Sequence, residues 1–295
     1  MNLPSTCGET MHTLLQIREL MSPYKKGPQV HSLLQRELNG GITTREEIDA
    51  IADLPAVTML KISGLTNATL DYLVTRYPDR FVALELWKCP QVSDLSPIEG
   101  LQSLRHLLMF HNRKASRLWD FRRTPELIGL DFTDFPKLND LTDLAQAQSL
   151  RELGFGNMIW NKASYRSLEP LSALTKLEAL IFNAVAITDG RIQPLAALQG
   201  LADLRFPSNL FTRGQLAWLR ARLPSTVCCE ALESHQSRVA IAGKSGRLND
   251  AKVNGRGERA LDSRKDAALL AAKAQEFARM VEQFRSDPLA GPPDE

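Results

Sequence analysis

The chain has 295 residues, 43% of them hydrophobic and 24% charged, with a formal net charge of +2. That composition belongs to an ordinary folded soluble chain and excludes the apolar-poor, highly charged class that stays disordered. A near-neutral balance gives no global field of the kind that marks a nucleic-acid or membrane-surface binder, and no apolar run approaches the roughly 20 residues needed to span a bilayer.

Taken in order, residues 11–21 place Met11, Leu14, Leu15, Ile17 and Met21 on one helical stripe. Ser22-Pro23 and Gly27-Pro28 break it. A second short helix is expected over residues 30–38, ended by Asn39-Gly40-Gly41. Thr44 with Glu47 three residues on forms a capping box, so a third helix starts there and carries Ile48, Ile51 and Leu54. Residues 1–56 therefore read as an N-terminal helical cap.

From residue 57 a six-residue stretch recurs: apolar, any, any, apolar, any, apolar. Its copies open at Val57, Phe81, Leu104, Leu127, Leu150, Leu177 and Leu201, at spacings of 24, 23, 23, 23, 27 and 24. The segments between copies repeat too: residues 92–101 match 138–144 and echo 168–174 and 192–198. Such a period is that of stacked coils, each unable to bury its apolar face alone. On these residues the chain resembles the internalin-type bacterial leucine-rich repeat family over 57–223. The resemblance implies an α/β solenoid: a leucine-rich repeat horseshoe with a short-stranded parallel sheet, an N-terminal helical cap and a C-terminal helical tail. It also implies protein binding on the concave side of that sheet and no reaction.

Strand alternation sends the first, fourth and sixth positions inward. Cys89, Asn112 and Asn209 stand where such repeats use Asn or Cys to tie the turn, while Leu65, Phe135, Met158 and Val185 depart from that pattern and predict irregular turns. The first connecting segment, 66–77, reads as a helix capped by Asn67. Residues 211–223 read as a closing helix and 226–230 as a last edge strand, so the solenoid with its cap spans 57–233. Residues 234–262 are rich in Gly, Ser, Arg and Lys and read as a flexible linker. A helix follows in 263–295, where Leu270, Ala274, Phe277, Val281 and Phe284 step as a heptad seam. That seam is a candidate for self-association or for folding back onto the solenoid.

The third, fifth and seventh positions face outward. They bring Trp87, His106, Leu108 and Phe110 into one patch, with Lys61, Glu85 and Asp131 around it. An exposed apolar patch with a charged rim is the pattern of a protein-binding hot spot. Four other features are weaker. Gly154 and Gly156 leave a recess that suits a small ligand. Arg113, Lys114, Arg117, Arg122 and Arg123 with Trp119 and Phe121 suit nucleic acid, though a solvated face anchored by two aromatics is favoured. Asp131, Asp134, Asp140 and Asp143 fall on different surfaces with no calcium-loop spacing. Cys7, Cys89, Cys228 and Cys229 lack a CxxC spacing and read as free thiols in a reducing compartment. Residues 1–16 show no secretory pattern, so the expected location is cytoplasmic. The expectation is a non-enzymatic protein-binding module without cofactor or metal; the alternative is a small-molecule or nucleic-acid-binding sensor.

Overall fold

A computed structural model describes residues 27–36, 41–157, 162–242 and 248–293. The helix expected over 11–21 and the turn residue Met158 lie outside the described residues.

Among the described residues, thirteen strands appear in chain order: β1 Val30–Leu33, β2 Met59–Ile62, β3 Ala83–Trp87, β4 His106–Phe110, β5 Gly129–Thr133, β6 Glu152–Gly156, β7 Ser164–Tyr165, β8 Ala179–Asn183, β9 Ala186–Ile187, β10 Asp203–Arg205, β11 His235–Ala242, β12 Leu248–Val253 and β13 Ala260–Leu261. Eight of them form one parallel sheet in the order β1-β2-β3-β4-β5-β6-β8-β10. Each copy of the repeat supplies one strand, in sequence order. Register holds throughout: Leu60 stands beside Leu84, Leu84 beside Leu107, then Leu130, Leu153, Leu180 and Leu204. All seven are fully buried in one continuous core. After β3 the chain returns between strands mostly through short 3-10 turns such as Ser96–Gly100, Thr142–Gln146, Glu169–Ala173 and Gln193–Ala197. Each turn buries a Leu or Ile against its neighbours.

At the sixth position of four successive coils stand Phe132, Phe155, Phe182 and Phe206. Their rings stack at centroid distances of 5.6, 5.3 and 5.3 Å with interplanar angles of 14°, 8° and 10°. This aromatic spine runs along the interior of the second half of the solenoid. Asn112 ties its turn as expected: its amide donates to the Cys89 and Val92 carbonyls and accepts from the Lys114 and Ala115 N–H groups. Phe135 and Leu65 instead fill core volume. A different regularity ties the coils together. Gly64, Lys88, His111 and Asp134, at equivalent positions just after the strands, all adopt left-handed backbone.

The N-terminal region differs from the helical cap expected over 1–56. Residues 30–33 form β1, paired with β2 from Val30↔Met59 to Leu33↔Ile62. The exposed edge of β2 offers a row of unpaired backbone groups, and the β-branched start of Val30-His31-Ser32-Leu33 satisfies them better than a four-residue helix would. The capping box does form: Thr44 and Glu47 exchange side-chain bonds with each other's N–H, opening α1 Arg45–Asp49. The helix of the first connecting segment is α2 Asn67–Arg76, capped by Thr66 with Thr69. Asn67 serves elsewhere, accepting from the Ser93 and Asp94 N–H groups of the next coil.

The C-terminal cap contains α3 Arg213–Arg222, capped by Thr212, and Cys228 bridged to Asp203 beyond β10. The described residues of the segment read as a flexible linker form instead the antiparallel sheet β11-β12-β13. The last helix, α4 Ala267–Ser286, lies against α3. Its heptad seam is used inside the chain: Phe277 and Val281 join the main core and Leu270 packs with Ala251, Val253 and Leu261. The seam is therefore not available for the self-association considered from the sequence. Two arginines of α3 hold this module in place. Arg213 donates to the Ser234, Asn254 and Lys273 carbonyls and sits over Phe277. Arg222 donates to those of Phe284, Asp287 and Ala290. Backbone acceptors spread from Ser234 to Ala290 carry no periodic signal, which is why composition alone read residues 234–262 as a linker.

Candidate concave recognition face

The seven sequence-selected residues do come together. In register, Lys61 stands beside Glu85, Glu85 beside Leu108, and Leu108 beside Asp131; Trp87 stands beside Phe110. His106 lies on β4 beside Ala83. The Trp87 and Phe110 rings stack at 4.5 Å and 22°. Lys61 Nζ sits 4.3 Å over the Trp87 ring and 2.8 Å from the Glu85 carboxylate. Lys61 thus bridges an ion pair and a cation–π contact, which fixes the orientation of the indole.

Their burial departs from an exposed patch with an open charged rim. Lys61, Glu85, Leu108 and Asp131 are only 8, 7, 6 and 5% exposed. Trp87, His106 and Phe110 are partly exposed. Lys61 and Glu85 are therefore a nearly buried pair beneath the aromatic stack, not a solvated rim. Leu108 and Ala83 form a small apolar cluster with Met59 and Ile181 against it, separate from the core. Met59 and Ile181 stand at the third and fifth positions of their coils, so strand alternation puts them on this same face. Burial also keeps His106 below the ordinary histidine range, helped by Arg105.

The glycine recess is not open. A Cβ on Gly154 would lie 2.4 Å from Asp131 Oδ2, because the Asp131 side chain already lies over it. Gly156 has φ +121 and lets the Asn183 backbone approach, so it serves the sheet and not a ligand. The basic segment resolves in the same direction. Trp119 and Phe121 are buried against each other with their rings tilted by 36°, while Arg117 pairs with Asp143 and Arg122 with Asp120. Rings inside the core cannot serve as stacking platforms for bases. The aspartates are spent on separate partners: Asp134 on His111 at 2.7 Å, Asp140 on Thr142 and Arg166, Asp131 on Thr133. Among the described residues no group of three or more His, Cys, Asp and Glu could hold a metal ion.

The cysteines correct one reading. Cys228 is disulfide-bonded, so four free thiols are not present. Cys89 and Cys229 are free but buried, and burial pushes each thiol up to about 12. Neither is a thiolate nucleophile at neutral pH.

Glu152 is the functional-looking residue that selection from the sequence missed. It stands between Gly129 and Ala179, with one carboxylate oxygen buried and without a hydrogen-bond partner. Burial, then the charge of Glu178, pushes its pKa from 4.5 up to about 7. A folded value above the unfolded one means that stability is fully present below about pH 4.5 and is lost as pH rises through about 7. Glu152→Gln should therefore match the wild type at pH 4 and exceed it at pH 8. Solvent screening at this partly exposed site discounts the gain to on the order of 1 kcal/mol. Urea melts at pH 4, 6 and 8 check this, and parallel pH profiles for the two proteins would refute it.

No protein-family model matches the chain, and no curated protein matches it in sequence. Among solved structures, internalin C2 from Listeria monocytogenes is similar at 26% identity over 58% of this chain and 70% of that one, with a TM-score of 0.39. A leucine-rich repeat protein of Leptospira interrogans is similar at 14% identity over 65% and 51%, with a TM-score of 0.39. The Drosophila Toll–Spatzle complex is similar at 15% identity over 62% of this chain and 25% of that one, with a TM-score of 0.43. By its own 23- to 27-residue period, its one-strand-per-copy parallel sheet and its single stacked interior, the chain folds as a leucine-rich repeat solenoid.

Proposed function

We propose that this solenoid is a protein-recognition module whose concave face engages a partner around Trp87 and Phe110, and that it performs no reaction. One observation carries the reading: two partly exposed aromatic rings, stacked on adjacent strands and pinned by Lys61, stand on a sheet whose register leaves them little freedom. Rigid aromatic anchors of this kind dominate protein interfaces because they bury large area at low entropic cost. Specificity would come from His106 and from the charges that flank the stack, once a partner excludes water from them. No catalytic alternative has support in the thiols, which are buried or already oxidised. A disulfide at Cys228 also fits an oxidising compartment better than the cytoplasm expected from the sequence.

The test is a pulldown of partners identified by mass spectrometry, repeated with Trp87→Ala and Phe110→Ala. Each substitution should weaken binding by about 2 kcal/mol or more, roughly 30-fold. Circular dichroism and melting of the variants should stay close to wild type. Undiminished capture by the double variant removes this surface from the function.

A further inference from the structure

We propose that Glu152 is the receptor for a cationic side chain, a lysine or an arginine, of the protein that docks on the concave face. The first observation is an acceptor without a donor. Among the described residues Glu152 Oε2 is buried and accepts no hydrogen bond. The other carboxylates carried by strands of the parallel sheet are all held. Glu85 pairs with Lys61 at 2.8 Å, Asp131 accepts from the Thr133 hydroxyl at 2.8 Å, and Asp203 pairs with Arg205 at 2.6 Å. A buried carboxylate oxygen that nothing satisfies costs stability. Where a local rule is broken with no structural compensation, the position is expected to serve function.

The second observation is placement. Glu152 opens β6, with Gly129 beside it on β5 and Ala179 beside it on β8. Neither neighbour carries a side chain long enough to reach the carboxylate. The next side chains in the row are His106 on β4 and Asp203 on β10, each two strand intervals or about 10 Å away. Glu152 is partly exposed, so a group approaching the face can meet it.

The third observation is charge. The basic groups around Glu152 do not neutralise it. Arg151 is paired with Glu178 at 2.7 Å. Burial and Arg105 hold His106 below the ordinary histidine range, so His106 is mostly neutral at pH 7. An ammonium or guanidinium on Oε2 supplies the missing donor and the missing positive charge together, in the stronger, charge-assisted kind of hydrogen bond. A neutral donor supplies only the first, and an anion is repelled. Glu152 and Phe110 are two strand intervals and four residues apart, about 16 Å across the face. A single extended segment of about five residues therefore reaches from the aromatic stack to the carboxylate.

This inference deepens the recognition reading and rests on it for the class of occupant, a protein segment. The test selects random linear peptides displayed on phage against the wild type, Glu152→Gln and the Trp87→Ala/Phe110→Ala double variant. The wild-type pool should be enriched in Lys and Arg. For one synthetic peptide from that pool, replacing the enriched basic residue by Gln should weaken binding about tenfold or more. Glu152→Gln should cost as much, and the two changes together little more, because each removes the same pair. Affinity of the wild type should rise several-fold from pH 6 to pH 8 as Glu152, with its pKa of about 7, ionises; Glu152→Gln should stay nearly flat, which separates this effect from titration of His106. A wild-type pool without basic enrichment, an empty pool included, overturns the proposal. So does a basic residue whose replacement costs the same in wild type and in Glu152→Gln. The double variant separates the two readings. A pool that is still basic there, and still coupled to Glu152, upholds the cation receptor and removes the aromatic anchor. A pool that depends on Trp87 and Phe110 with no coupling to Glu152 does the reverse.

Discussion

Phe155→Ala is expected to cost about 3–5 kcal/mol, the range for truncating a fully packed aromatic. Phe155 is 3% exposed and sits in the middle of the ring spine. It stacks on Phe132 and Phe182 and meets Tyr165 edge-on at 5.0 Å. Removing it deletes three aromatic contacts at once, each worth about 0.5–1.5 kcal/mol beyond area burial. The surroundings cannot collapse into the gap, because neighbouring coils are held at the strand spacing by backbone hydrogen bonds. A solenoid is stabilised coil against coil, so a weakened interface in the middle also uncouples the two halves. Phe155→Leu keeps most of the volume but loses the stacking, and should cost about 1–1.5 kcal/mol. Equilibrium urea melts followed by far-UV circular dichroism measure both. A loss below about 1 kcal/mol for the alanine variant would mean that the spine contributes no more than generic apolar area.

Gly156→Ala should be comparably damaging for a different reason. The backbone there has φ +121, which side-chain-bearing residues rarely adopt, and a Cβ would fall 2.1 Å from the Asn183 carbonyl oxygen and 2.7 Å from its nitrogen. Both obstacles are backbone, so nothing flexible can yield. Relief requires β6 and β8 to part, which strains the bond from the Asn157 N–H to the Asn183 carbonyl and the Gly156 carbonyl's bond to the Asp134 N–H. A cost of about 3 kcal/mol or more follows. Gly154→Ala is the matched control. Its Cβ would meet the tip of the Asp131 carboxylate, which can rotate away, so it should cost about 1 kcal/mol. If the two variants melt alike, close backbone approach is not what Gly156 is for.

The placement of the candidate face follows from the repeat, and its burial does not. Strand alternation and the repeat period place Lys61, Glu85, Trp87, Leu108 and Phe110 as neighbours before any coordinate is known, because period-two geometry leaves no freedom once register is set. Exposure does not follow from that geometry. Lys61 reads from the sequence as a rim charge, yet it lies under the stack, held by Glu85 and Trp87. Gly154 reads as a recess, yet Asp131 occupies it. Glu152 reads as one more polar strand residue, and only its flanking by Gly129 and Ala179 and the nearby Glu178 raises its proton affinity.

The repeat alone dictates the stack: seven copies at a steady period, each with apolar residues at the positions that face inward, admit one economical burial, coil upon coil. Local chemistry settled the capping boxes at Thr44 and Thr212 and the Asn112 turn for the same reason, since their partners lie within a few residues or one coil away. The tertiary structure decided the ends and the surface. Residues 30–33 became a strand because β2 presented an open edge. Strands β11, β12 and β13 paired into a sheet, and the α4 seam turned inward, because Arg213, Arg222 and Trp218 supplied donors to carbonyls more than twenty residues away. Such contacts depend on what the finished solenoid leaves unsatisfied, and no period in the chain encodes that.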